Sequence, residues 1–446
     1  MAIGLRALNR FAASELVDRF GLRRSANRFV HGASKSTVRA AARTGRTFAA
    51  AQRLSRPARQ VRTPTSDRFD LRPTDEQQML RDSVGDFALQ QLRPAAQAAD
   101  YACETPPELL AQSNELGLAM VGVPEALGGA VPERSAVTSV LMSEALARGD
   151  MGIALACLAS AGVSTALSLW GDADQQSTYL TEFLGEQVPA AAVAVLEPHG
   201  LFDPFKLRTR ARRAHGGYVL AGVKSLVPRA GNGELFVVAA ALEAPDPGRG
   251  PAGAAACGRG APALFIVESK TAGISVEADP GMGVRAAATG RLIFEDVRLP
   301  AGALLGEARP EVYRECVQLS RLGWCALAVG TAQAVLDYVI PYVNERTAFG
   351  EPISHRQAVA FTVANIAIEL EGMRLATYRA ASRADQGMSF AREVTLARRL
   401  CGEHGMAIGS DGVQLLGGHG YVKEHPVERW YRDLRAVAVM EGALLV

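Results

Sequence analysis

From Pro73 onward, apolar residues recur at helical spacing. Thr74 and Gln77 form a Thr-x-x-Gln capping box, and Met79, Leu80, Val84, Phe87 and Ala88 follow with a period near 3.6. A helix around residues 143–158 and another over 175–186 continue the pattern, so 73–188 reads as an N-terminal helical domain. Beyond it the period shortens. Runs at 218–220, 235–240, 264–267 and 292–297, broken by Gly and Pro, predict a small β-barrel or sandwich over 189–300. Within it, the Gly-, Pro- and Ala-rich stretch 243–262 predicts a long surface loop. Helical periods return at 316–345, 355–386 and 391–410, with Pro341 expected to kink the first. An up-and-down four-helix bundle over 301–446 accommodates them. The fold class is therefore mostly α with a central β domain.

Residues 151–171 carry no formal charge and are long enough to cross a bilayer. Gly152, Ser160, Gly162, Ser164, Thr165 and Ser168 dilute the run, which favours a buried helix over a transmembrane span.

Charge separates one further segment. Residues 1–63 hold fourteen Arg or Lys against Glu15 and Asp18, a balance of +12 in a chain whose net charge is +2. The remainder therefore carries −10. Ile3, Leu5, Leu8, Phe11, Ala12, Leu16 and Phe20 give this arm, 1–72, one apolar stripe in helical form. Three readings fit it: contact with an anionic membrane surface or acidic partner, a mitochondrial transit peptide, and a packing or disordered arm. The six cysteines lack metal or redox spacing and the seven histidines form no HExxH pair, so no metal is expected. A reducing, cytoplasmic setting follows, peripheral to a membrane if the arm binds one and mitochondrial if the arm is a transit peptide.

Chemistry concentrates at the C-terminus. Gln414-Leu-Leu-Gly417-Gly418-His-Gly-Tyr421 is followed by Trp430-Tyr-Arg-Asp433 and by Met440-Glu441-Gly442. Glu441 is a single carboxylate within the otherwise apolar stretch 437–446, where desolvation raises its basicity and suits it to proton abstraction.

In order and spacing this run resembles the C-terminal signature of the acyl-CoA dehydrogenases. Val-Gly-Val-Pro-Glu-Ala-Leu-Gly-Gly at 121–129 and Phe-Glu-Asp-Val-Arg-Leu-Pro at 294–300 extend the resemblance over 74–446. It implies a helical bundle, a middle β-barrel and a C-terminal four-helix bundle, with FAD as cofactor, acyl-CoA as substrate and Glu441 as base. An electron-transfer flavoprotein is the implied electron acceptor, and a homodimer or homotetramer the implied assembly.

Arg346 and Phe349 match the family's Arg-x-x-Phe-Gly cofactor motif and Gln357 a cofactor-side glutamine. Gln414, Gly417 and Gly418 match the turn that meets a partner subunit's FAD. Arg321 matches a substrate-side arginine, beside the alternative base position, which is Ser320 here and cannot act as a carboxylate base. Leu196 stands where the family has a flavin-facing threonine, Pro228 where it has a second, and Phe202 where it has an acyl-CoA-binding serine; Met440 replaces the tyrosine before the base. Weaker FAD binding or an altered flavin potential, and a shifted substrate preference, follow from these changes. Two other readings share the scaffold: a non-catalytic or partner-dependent subunit of a hetero-oligomer, and a membrane- or nucleic-acid-binding protein.

Overall fold

The computed structural model describes residues 73–129, 133–185, 187–243 and 260–444. The expectations placed on the basic arm and on most of the 243–262 loop lie outside the described residues.

Helix α1 (Asp75–Phe87) begins at the expected capping box, with Gln77 N donating to Thr74 Oγ1 at 3.2 Å and Thr74 N to Gln77 Oε1 at 3.0 Å. A π-helical turn, Ala88–Leu92, leads into α2 (Arg93–Ala102), and α3 (Pro107–Glu115) follows. The helix expected around 143–158 is in fact two, α4 (Ala136–Gly149) and α5 (Met151–Trp170). Asp150 breaks them: its backbone is extended (φ −159°, ψ 133°), and its carboxylate caps the Ile153 N–H at 2.9 Å. The reason was local, because a capping side chain competes for backbone N–H groups that an unbroken helix would use. Likewise, 175–186 resolves into α6 (Ala173–Tyr179) and a 3-10 turn, Leu180–Leu184.

The middle segment supplies β1 (Ala191–Ala194), β2 (Arg210–Ala214), β3 (Gly217–Val227), β4 (Leu235–Leu242), β5 (Ala261–Glu268), β6 (Ile274–Ala278), β7 (Gly290–Pro300) and β8 (Leu304–Leu305). They form one sheet in the order β6-β7-β3-β2-β4-β5-β8, with β1 pairing parallel to β4. Every residue of β4 is buried, as its unbroken apolar run requires.

Three long helices complete the chain: α7 (Pro310–Glu345), which continues through Pro341, α8 (Gln357–Asp385) and α9 (Ala391–Leu416). The hairpin β9 (Thr347–Ala348) and β10 (Glu351–Pro352) joins the first two. Short helices α10 (Gly418–Tyr421) and α11 (Val427–Leu434) follow, the latter packed on α9.

Helix α4 packs along α7, so the N-terminal and C-terminal segments meet directly. One continuous core runs through Leu146, Ile153, Val237, Val329, Ile408 and Trp430, taking residues from all three segments. A second core, around Phe236, Phe265 and Leu292, fills the sheet. Among the described residues α5 and α7 are apolar and long enough to cross a membrane, yet most of each is buried in the protein. Their apolarity serves this shared core.

Candidate active site

After α11 the chain makes a 3-10 turn, Arg435–Ala438, and then an irregular turn that carries Glu441. Glu441 sits in the left-handed region (φ 56°) and Gly442 follows at φ 107°. A non-glycine residue there costs on the order of 1–3 kcal/mol, so the surroundings must hold it. Two buried arginines do so. Arg321 donates from Nε (3.1 Å) and Nη2 (2.9 Å) to the Glu441 carbonyl. Arg398, from the middle of α9, donates to the Met440 carbonyl at 2.8 Å and also to the Gly442 carbonyl. From the β side, the Phe202 carbonyl accepts the Ala443 N–H at 2.9 Å. A Cβ on Gly442 would lie 2.7 Å from Pro204 Cδ and 3.1 Å from Arg321 Nη2, so glycine is required for both conformation and space.

The carboxylate held by this turn is 6% exposed. Ser320 Oγ donates to Oε1 at 2.8 Å, whereas Oε2 is buried with no partner among the described residues. Burial pushes the Glu441 pKa up, opposed by the Ser320 hydrogen bond, by Arg398 and Arg321, and by the Trp324 side chain. Burial, and then neighbouring Arg321, pull the Arg398 pKa down to about 10. The Glu441 N–H makes no backbone hydrogen bond among the described residues.

Glu441 and Met440 line a cavity of about 250 Å³. Its β-side wall is Leu196, Ser225, Leu226, Val227 and Pro228; α4, α5 and α7 close the other sides. That β wall offers few free donors. Leu196 has a hydrocarbon side chain, Pro228 has no N–H, and Ser225 Oγ is spent on Asp279 Oδ2 at 2.5 Å. Behind the wall, Lys224 is fully buried and donates to Glu197 Oε1 and the Val195 carbonyl, both at 3.0 Å. Burial brings the Lys224 pKa down to about 8 against the pull of Glu197. Glu197 also accepts the backbone N–H groups of Arg208 (2.7 Å) and Thr209 (2.9 Å). Although burial pushes its pKa up, Lys224 and these donors leave it lowered overall. This strut fixes the strand end that presents Leu196.

The Arg-Asp pair before the turn is a brace. Arg432 forks onto Asp100 with two contacts of 2.9 Å, and Asp433 accepts the Val284 N–H at 2.6 Å. Arg429 donates to Asp150 at 3.0 Å. Burial, then Asp150, push the Asp433 pKa up to about 8.

Of the residues singled out in the sequence, the cavity unites Leu196, Pro228, Met440 and Glu441. Arg321 lies behind Glu441, on its carbonyl, and not on the cavity wall. Phe202 is likewise no part of the wall: its ring is buried against His199 and its contribution is a backbone carbonyl. Arg346, Phe349, Gln357, Gln414, Gly417 and Gly418 are exposed and line no part of the cavity. Phe349 is 95% exposed, under the Arg356 guanidinium at 5.6 Å from its ring. Glu351 is engaged by His355 and Arg356, and among the described residues Arg346 has no ion pair. Gly417 adopts φ 58°, ψ −131°, a conformation that favours glycine strongly.

Sequence reasoning missed Arg398 and Lys224, and gave Ser320 no positive part. Arg398 follows Ala397 in an ordinary helical period, and only the return of the C-terminal turn reveals its partners. Lys224 could have been flagged as a charge inside the apolar run of β3.

Comparison with known proteins matches this arrangement. The family models for the acyl-CoA dehydrogenase N-terminal, middle and C-terminal domains match residues 74–187, 192–297 and 311–444. An acyl-CoA dehydrogenase of Bacillus subtilis is 32% identical over 83% of this chain and 95% of its own. The mitochondrial short-chain specific acyl-CoA dehydrogenase of Mus musculus is 33% identical over 82% of this chain and 86% of its own. The structure of butyryl-CoA dehydrogenase from Megasphaera elsdenii superposes with a TM-score of 0.76 at 26% identity, covering 84% of this chain and 97% of that one. The chain belongs to the acyl-CoA dehydrogenase family, the FAD-dependent oxidoreductases of acyl-CoA thioesters.

The residues present fit that cofactor. The cavity places an apolar wall beside a buried carboxylate whose Oε2 has no partner, which suits a flat aromatic ring and a reacting carbon. Outside it, the Arg346 guanidinium lacks an ion pair and suits a pyrophosphate. With the side chains of Leu196 and Pro228 unable to donate, ring edges would be met by backbone groups and apolar contact.

Proposed function

We propose that this protein removes hydrogen from Cα and Cβ of an acyl-CoA to give a trans-2-enoyl-CoA, with Glu441 as the base. The observation that carries this is the Glu441 carboxylate: one oxygen anchored by Ser320, the other buried and without a partner among the described residues, on a residue that lines the cavity. Ser320 holds Oε1, so the α-proton is taken by Oε2. Desolvation makes that oxygen more basic, and Arg321 and Arg398 keep it in place through the backbone. The free Glu441 N–H is a donor for the negative charge that develops on the thioester oxygen. Bound FAD would supply the acceptor for the hydride equivalent that leaves Cβ.

The exposed set around Arg346 and Gln414 supports a homo-oligomer whose neighbouring copies complete the cofactor site, and an electron-transfer flavoprotein is the acceptor expected for the reduced enzyme. Phe361, Ile368 and Leu375, seven residues apart on α8, expose an apolar stripe suited to such a copy.

Anaerobic addition of acyl-CoAs to the purified protein should bleach its flavin band, most for one chain-length class. Flavin that no acyl-CoA reduces would instead favour a partner-dependent subunit, the reading to which Leu196 and Pro228 lend weight.

A further inference from the structure

Among the described residues, the cavity has two charged side chains on its wall, Glu441 and Arg134. Arg134 precedes α4, is half-buried, and has no hydrogen bond or ion pair to its guanidinium among the described residues. Asp385 and then Glu315 act on it through space, yet burial outweighs them, and their hydrogen bonds go to other donors. Asp385 accepts from Ser135 Oγ (2.8 Å), Ala136 N (2.5 Å) and Val137 N (3.2 Å), and Glu315 accepts from Trp170 Nε1 at 3.3 Å. The hydroxyls of Ser139 and Ser143, also on the wall, are turned to their own helix, donating to the Ser135 and Ser139 carbonyls at 3.0 and 2.8 Å. Arg134 therefore brings a guanidinium with five N–H donors to the lining of a cavity whose other residues include Ala136, Val140, Leu319 and Trp170. Desolvation is costly for such a cation unless something anionic meets it.

We propose that Arg134 is a specificity residue that receives a carboxylate at the far end of the acyl chain, so that the preferred substrate is a short dicarboxylyl thioester. This rests on the acyl-CoA reading of the cavity and deepens it. Glu441 must meet Cα for any acyl-CoA, and Arg134 lines the same cavity from just before the start of α4, where a group beyond Cβ would meet it. A cavity of about 250 Å³, at the small end for ligand pockets, favours a short acyl chain. A carboxylate forked onto a guanidinium is the pairing for which arginine geometry is best suited.

The test compares glutaryl- and adipyl-CoA with their neutral counterparts, valeryl- and hexanoyl-CoA, on the flavin-loaded protein. The unsubstituted protein should favour the dicarboxylyl member of each pair in kcat/KM by roughly ten- to hundredfold, chiefly through KM. Arg134→Gln should collapse that ratio, and Arg134→Lys should restore part of it. Thermal stabilisation by non-oxidisable thioether analogues, with and without the terminal carboxylate, gives a readout independent of turnover. A protein that favours the neutral member of each pair overturns the proposal but leaves the dehydrogenase reading intact. Equal losses for both classes in Arg134→Gln also overturn it and assign Arg134 to the CoA portion or to folding. Absence of flavin reduction by all four thioesters, with no analogue binding, would defeat the underlying reading instead.

Discussion

The two walls that flank the candidate reaction centre differ in kind. The C-terminal wall is built from charge: Glu441 is locked by Ser320 and by two buried arginines that grip three successive carbonyls. The β wall shows hydrocarbon to the cavity, and its charges, Glu197 and Lys224, are satisfied behind it. One wall orients the proposed base, and the other offers shape and apolar contact. The difference teaches that precision at this site resides in the chain's own turn, while the opposite wall supplies shape and hydrocarbon surface.

Removing the reacting group tests the first wall most severely. Glu441→Gln should lower kcat by about 10²–10⁴-fold or more while the flavin spectrum persists. Rapid-reaction spectroscopy with the best substrate measures this. Because burial raises the Glu441 pKa, the folded protein favours its protonated form. The contribution of this group to stability is fully present below its unfolded pKa and is lost as pH rises through the folded one. Turnover needs the ionised form, so activity should rise over the same window. Glu441→Gln should therefore match or exceed the unsubstituted protein in Tm at neutral pH.

The second wall is tested through its strut. Lys224→Met strands the buried Glu197 and should cost about 3–5 kcal/mol by denaturant unfolding. The double change Lys224→Met with Glu197→Gln should recover much of that loss. A loss below about 1 kcal/mol for the single change would show that the strut carries little. The Lys224 pKa, lowered to about 8, works in the opposite sense to Glu441: its share of stability is present above the unfolded pKa and is lost as pH falls through about 8.

Smaller changes sharpen the contrast. Ser320→Ala removes a hydrogen bond to the charged oxygen, worth about 1.5–3 kcal/mol. The acidic limb of the kcat profile should move up by about one to two pH units. Leu196→Thr puts a hydroxyl on the hydrocarbon wall and should have the least effect, roughly 0.5–1.5 kcal/mol in FAD affinity. Titration of the apoprotein with FAD measures it.

Much of the architecture was legible from local pattern. The capping box at Thr74, the β-rich texture after Ala190 and the three long C-terminal periods are near-neighbour effects and emerged at the expected places. The break at Asp150 was legible only in part, since a capping aspartate within an apolar run is ambiguous until its N–H partner is seen. Phe202 and Arg321 were placed by alignment to a motif. Their backbone contacts with the C-terminal turn depend on how two distant segments meet.

What the sequence determined by itself was the order of helical, β and helical segments, the family, and the identity of Glu441 as an isolated carboxylate in apolar surroundings. The segment order and the isolated carboxylate rest on periodicity and spacing, which are properties of neighbours along the chain, and the family rests on the resemblance of short motifs. Tertiary structure alone decided that Arg398, 43 residues before Glu441, would hold its turn, that Ser320 would anchor one oxygen, and that Arg134 would share its cavity. Those relations arise from long-range packing, in which a buried polar group takes whichever partner the folded core brings within reach.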